Sequence, residues 1–137
     1  MKLMLDLNIL LDVVQQRQPH YAASAQVLHY AQNNGKGCIA SHAVTTLHYL
    51  VGKYAGRKLA DELIDWLLKD FAVASADKET FLRARLLEFS DFEDAVVCAC
   101  AEQQQCDYII SRNSRDFSRA TVAVLSPGEF LAYGLGN

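Results

Sequence analysis

Short apolar runs alternate along the chain with longer stretches in which apolar residues recur at helical spacing. This alternation predicts an α/β domain on a largely parallel sheet, because a strand covered on both faces is apolar throughout whereas a crossover helix carries an apolar stripe. Strands are predicted over 2–5, 37–40, 71–74, 108–111 and 121–125, and helices over 8–14, 20–33, 44–54, 59–69, 78–88 and 91–104, with a short one over 127–133. Asn33-Asn34-Gly35 is expected to stop the second helix with residues that tolerate a left-handed conformation. Gly56, within Ala55-Gly56-Arg57, separates the third helix from the fourth. The run Ala95-Val96-Val97-Cys98-Ala99-Cys100-Ala101 is apolar nearly all round, so its helix must be deeply packed and its first turn must emerge from the core beside the sheet. With no linker-like stretch and no internal repeat, the chain reads as a single domain over 1–137.

Composition narrows the function classes. The 137 residues are 51% apolar and 21% charged, with only 7 Gly and 2 Pro, which suits a chain that buries a core and excludes a disordered or linker-rich one. Thirteen Lys and Arg against sixteen Asp and Glu leave a formal charge of -3, so no broad basic field is available to grip duplex nucleic acid, and any such contact must be local. No apolar run approaches the roughly 20 residues that span a bilayer, and Met1-Lys2 leads directly into Leu3-Met4-Leu5-Asp6, so a cytoplasmic protein without a membrane partner is expected. Cys38, Cys98, Cys100 and Cys106 show no C-x-x-C spacing and are expected to be reduced and mostly buried.

Ligands of open parallel sheets sit outside the carboxyl ends of the strands, which directs attention to polar residues there. Asp6 ends the first apolar strand and is a candidate functional acid. Asn8 follows where a helix should start and is expected to cap it. In Ser90-Asp91-Phe92-Glu93-Asp94 the S-x-x-E spacing of Ser90 and Glu93 is that of a capping box, which gives Glu93 a structural task. Asp91 and Asp94 share a helix face at i, i+3, and Asp94, which abuts the apolar stretch, is the stronger candidate. After the fourth strand, Ser111-Arg112-Asn113-Ser114-Arg115-Asp116-Phe117 offers Asn113 and Asp116 as oxygen ligands, flanked by Arg112 and Arg115, which can hold phosphates. Carboxylates clustered without His or Cys partners suit a hard cation, Mg²⁺ or Mn²⁺, that keeps some water and takes further ligands from a phosphate.

Met4-Leu5-Asp6-Leu7-Asn8, Asp91-Phe92-Glu93-Asp94-Ala95, Tyr108-Ile109-Ile110-Ser111-Arg112-Asn113, Asp116-Phe117 and the closing Leu125-Ser126-Pro127-Gly128-Glu129-Phe130 together resemble a PIN domain, in order and over nearly the whole chain. The similarity is greatest to small bacterial PIN proteins of the VapC type. It implies a three-layer α/β fold, with a central five-stranded parallel sheet and helices on both faces, around an acidic pocket for Mg²⁺ or Mn²⁺. It also implies a metal-dependent endoribonuclease, the toxin component of a toxin–antitoxin system, with RNA as substrate, a small antitoxin as partner and a homodimer as assembly. The family's catalytic and metal-binding acids fall on Asp6, Asp94 and the Asn113/Asp116 turn, with Asp91 as a possible supporting metal ligand and Asn8, Thr46, Ser111, Arg112 and Arg115 as substrate contacts. The helix that carries the family's second acid has none here, and that position falls on Thr46, Leu47 or His48. A missing carboxylate implies weaker metal affinity. It also opens an alternative, a catalytically weakened PIN-like interaction or regulatory protein. The homodimer is expected to use apolar helical surface around Leu47, Tyr49, Leu50 and Tyr54.

Overall fold

The computed structural model describes residues 1–34 and 36–134. Its strands are β1 (Leu3–Leu5), β2 (Gly37–Ala40), β3 (Ala72–Ala74), β4 (Tyr108–Ile110) and β5 (Val124–Leu125). They form one parallel sheet in the order β3-β2-β1-β4-β5, so the five-stranded α/β architecture expected from the pattern is the one found. The principal helices are α1 (Leu7–Val14), α2 (Tyr21–Asn33), α3 (Ser41–Ala55), α4 (Arg57–Asp70), α5 (Lys78–Leu86) and α6 (Phe92–Gln103). A 3₁₀ turn covers Ser114–Phe117, and a short helical turn over Pro127–Glu129 continues as a π-helical turn over Phe130–Gly134. Among the described residues no helix is long and apolar enough to cross a membrane.

Successive side chains of a strand point to opposite faces, and β1 shows how this builds three layers. Leu3 and Leu5 pack with Ile9, Val27, Leu47 and Phe130, under α1 to α4. Met4 faces the other way and packs with Ala84, Val96, Cys100 and Ile109, under α5 and α6. All seven residues from Ala95 to Ala101 are buried, as an all-apolar helix requires. The four cysteines are free and buried.

Several boundaries move for physical reasons. The α3 helix starts at Ser41, directly out of β2, because the extended Ala40 serves as its N-cap without any side-chain bond, leaving no capping residue to mark the start. The last strand is confined to Val124–Leu125, the only residues of 121–125 that pair with β4. Asn34 ends α2 in a right-handed conformation, φ −92°, so the expected left-handed stop does not fall on it, and Gly35 lies outside the described residues. Gly56 does separate α3 from α4, at φ +95°, which a side chain would strain. Gly37 has a different reason to be glycine, since a Cβ there would lie 2.5 Å from the Phe71 ring.

Candidate functional site

Asp6 leaves β1 in extended conformation, and its Oδ1 accepts the Leu7 N–H at 2.9 Å, so Asp6 is the N-cap of α1. The expected cap, Asn8, lies inside the helix instead and does not line the acidic cavity described below. The second oxygen of Asp6 accepts the Ser111 hydroxyl at 2.7 Å. Ser111, expected to contact substrate, is fully buried at the end of β4, where it bonds Asp6 and accepts the Asn113 N–H at 3.0 Å. Its task in the structure is to hold Asp6. Burial raises the Asp6 pKa above its ordinary value, the bonds from Ser111 and Leu7 and the Arg112 charge pull it back, and Glu93 pushes it up again.

Asp94 arrives from the other side of the sheet, on the first turn of α6. The N-cap of that helix is Asp91, whose Oδ1 accepts the Asp94 N–H at 3.2 Å. The expected Ser90–Glu93 capping box is therefore replaced by an Asp cap one residue later, a residue type that caps as well as Ser. Freed from that task, Glu93 joins Asp6 and Asp94 on a common cavity. The cavity is completed by His42 and Thr46 from α3 and walled by Leu5, Leu7, Ala40, Ala43 and Val97. Its volume is about 20 Å³, space for about one water molecule or a bare ion.

The electrostatics of this cavity are one-sided. Asp94 is pushed up to about 7, first by burial and then by the charges of Asp91, Asp6, Asp116 and Glu93. That list also locates the acids: Asp91 and Asp116 are exposed and outside the cavity, yet close enough to be felt at Asp94. Asn113 and Asp116 stand together on the 3₁₀ turn, linked by the Asp116 N–H to the Asn113 carbonyl at 2.9 Å, and both are exposed beside the cavity rather than on its wall. Arg112, expected to hold phosphate, is turned inward. Its Nε and one terminal nitrogen bond the two oxygens of Asp12 at 2.7 and 3.0 Å, and Asp12 is fully buried and also accepts the Ser24 hydroxyl at 3.1 Å. Arg115 is exposed on the same turn and forms no ion pair among the described residues.

The three residues of α3 on which the position without an acid could fall have different surroundings. Leu47 is in the core, and His48 bonds Asp61 of α4 at 2.7 Å. Thr46 is the residue that lines the cavity, its hydroxyl donating to the His42 carbonyl at 3.2 Å. His42 and Thr46 are four residues apart and so share a face, the one signal in the sequence that could have marked His42. Asp12, Glu93 and His42 are the site residues that reading the sequence did not assign. Of the expected dimer surface, Tyr49 and Tyr54 are exposed, whereas Leu47 is buried and Leu50 packs against the core.

A PIN domain family model matches residues 2–115. The chain belongs to the PIN domain family. The PIN fold is shared with a toxin–antitoxin complex from Klebsiella pneumoniae, at 21% identity and TM-score 0.72, covering 92% of this chain and 98% of that one. VapBC2 from Rickettsia felis bound to a promoter DNA fragment matches at 16% identity and TM-score 0.71, with the same two coverages of 92% and 98%. VapC20 from Mycobacterium tuberculosis, a Sarcin-Ricin loop cleaving toxin, matches at 12% identity and TM-score 0.65, covering 79% of this PIN chain and 87% of that one. No curated protein matches the chain.

The acids of the PIN cavity suggest a divalent cation. Its donors are hard oxygens from Asp6, Asp94, Glu93 and Thr46, with the His42 imidazole beside them. Among the described residues no three His, Cys, Asp or Glu side chains converge tightly enough to grip an ion unaided. Arg112 offsets part of the Asp6 charge, but the excess of carboxylates over cations and the space for about one ion suit a hard cation with oxygen ligands.

Proposed function

We propose that this PIN domain protein is a Mg²⁺- or Mn²⁺-dependent endoribonuclease, the toxin of a toxin–antitoxin pair. The observation that carries the reading is the convergence of Asp6 and Asp94 on one small cavity at the carboxyl edge of the sheet. Their mutual repulsion supports a cation as ligand, because like charges are tolerated at such a site when a metal neutralises them. The likeness to VapC20, named for cleavage of the Sarcin-Ricin loop, supports RNA as substrate. The likeness to toxin–antitoxin complexes supports a small antitoxin as partner.

In this reading Asp6 and Asp94 are the inner acids, and Asp91, Asp116 and Asn113 form an outer polar rim. A bound Mg²⁺ or Mn²⁺ would supply Lewis-acid stabilisation of phosphate charge and a more acidic water. Asp6 has little freedom to move, held by Leu7 and Ser111, and so presents its carboxylate without reorganisation. Asp94 is anchored by its own backbone on the Asp91 cap. Arg115 is the cation on the rim with a free guanidinium for a flanking phosphate, while Arg112 braces the loop through Asp12.

Thr46 in place of an acid favours a second reading, a PIN protein weakened in catalysis and kept for binding. Cleavage of RNA by purified protein separates the two. The nuclease reading expects products in millimolar Mg²⁺ or Mn²⁺, none in chelator and none from Asp6→Asn. Metal binding without cleavage of any RNA would favour the second reading. A homodimer through the exposed Tyr49 and Tyr54 rings is proposed as the assembly, to be read by light scattering.

A further inference from the structure

His42 stands in the first turn of α3 and lines the acidic cavity with Asp6, Thr46, Glu93 and Asp94. Among the described residues, its Nδ1 is the one buried side-chain nitrogen or oxygen without a hydrogen-bond partner. Buried polar atoms are nearly always paired with protein, water or an ion, and an orphan on the wall of a polar cavity points to a partner that enters the cavity. Among the described residues none bonds it: the Thr46 hydroxyl is committed to the His42 carbonyl, the Asp6 oxygens to Leu7 and Ser111, and neither the Asp94 nor the Glu93 carboxylate reaches it. The ring is half-buried, and a neutral imidazole whose Nε2 carries the proton offers the Nδ1 lone pair as an acceptor.

We propose that His42 Nδ1 accepts a hydrogen bond from a water carried by the divalent cation, and so positions that water from α3, the helix that brings no carboxylate to the cavity. The proposal rests on the reading of Asp6 and Asp94 as cation ligands. It agrees with the absence, among the described residues, of three converging ligating side chains, since an ion seated on two carboxylates keeps waters that need acceptors. His42 is then a positioning residue rather than a ligand. Because it acts on water, it contributes equally to Mg²⁺ and Mn²⁺, whereas a nitrogen bound directly to the metal would favour Mn²⁺.

The test is calorimetric titration of Mg²⁺ and of Mn²⁺ into the wild type, His42→Leu, His42→Asn and Asp6→Asn. Leu and Asn have nearly the same shape, and the Asn Oδ1 can sit where Nδ1 sat, so the pair differs in its amide group, with an acceptor at the place of Nδ1 only in Asn. The expected result is a loss of about tenfold in affinity for both metals in His42→Leu, recovered for the most part in His42→Asn. The metal-free melting temperature of His42→Leu should equal or exceed that of the wild type, since the buried orphan is gone. Wild-type affinity in His42→Leu, with binding abolished in Asp6→Asn, would overturn the role of His42 and leave the acid site standing. A loss confined to Mn²⁺ would also overturn it, in favour of direct ligation. A wild type that binds neither metal at millimolar concentration would remove the acid site and this inference together.

Discussion

Ser111 donates its hydroxyl to Asp6 Oδ2 at 2.7 Å, joining the carboxyl ends of β4 and β1 across 105 residues of chain. The two strands are neighbours, and the strand order reverses there, with β2 and β3 on one side of β1 and β4 and β5 on the other. That is the crevice in which open α/β sheets bind ligands, and the bond fixes a carboxylate in it. Ser111→Ala is expected to raise the Asp6 pKa further, because the lost bond favoured the charged form. An NMR carboxylate titration that finds Asp6 unmoved in the variant would contradict this.

Asp94, at about 7, and Asp6, also raised, give the metal-free protein an unusual pH dependence. Between roughly pH 4, where an unfolded Asp releases its proton, and pH 7, the native state holds protons that the unfolded chain has lost. Native stability therefore falls as pH rises through that window. The fall should be shallower in Asp94→Asn, which has no proton to lose there. Melting temperatures of the two proteins, measured in chelator from pH 5 to pH 7.5, check the sign, and parallel curves would count against it.

Asp12 is fully buried and is neutralised by Arg112, a residue 100 positions later in the chain, whose side chain is only 22% exposed. Removing one partner of such a pair leaves the other charge poorly solvated. Asp12→Ala is expected to cost about 3–5 kcal/mol in urea unfolding. A cost below about 1 kcal/mol would mean that the pair is solvated like a surface bridge.

Thr46→Glu restores a carboxylate to the face of α3 that lines the cavity. Attraction for a doubly charged ion rises with each carboxylate, so Mn²⁺ affinity should increase by about tenfold or more. The metal-free variant should be less stable than the wild type, because the new charge adds to the repulsion already felt at Asp94. Calorimetry and melting in chelator read the two effects, and an unchanged Mn²⁺ affinity would contradict the placement of position 46.

The parts of this molecule legible in its sequence are those set by local pattern. β1 and the apolar stretch of α6 could be read from runs of buried residues, and Asp6 and Asp94 from their places at the ends of those runs. What escaped depends on contacts between distant segments. Arg112 looked like a free cation because nothing near it in sequence announces Asp12, and Asp12 itself sits among apolar neighbours on a short helix. Ser111, expected at the end of the fourth strand as a substrate contact, is set against Asp6 by the pairing of β4 with β1, which no local pattern announces. Glu93 was assigned to a capping box that Asp91 pre-empts by starting α6 one residue later. His42 carries no local mark beyond its i, i+4 spacing to Thr46, since being unpartnered is a property of the packed cavity alone.

The central claim is that Asp6 and Asp94 hold one divalent cation between them, and anomalous scattering from crystals soaked in millimolar Mn²⁺ tests it most directly. The account predicts an anomalous peak in the cavity, adjoining both carboxylates and absent from Asp94→Asn crystals. A cavity without that peak, or Mn²⁺ found only at other acids of the surface, would contradict it.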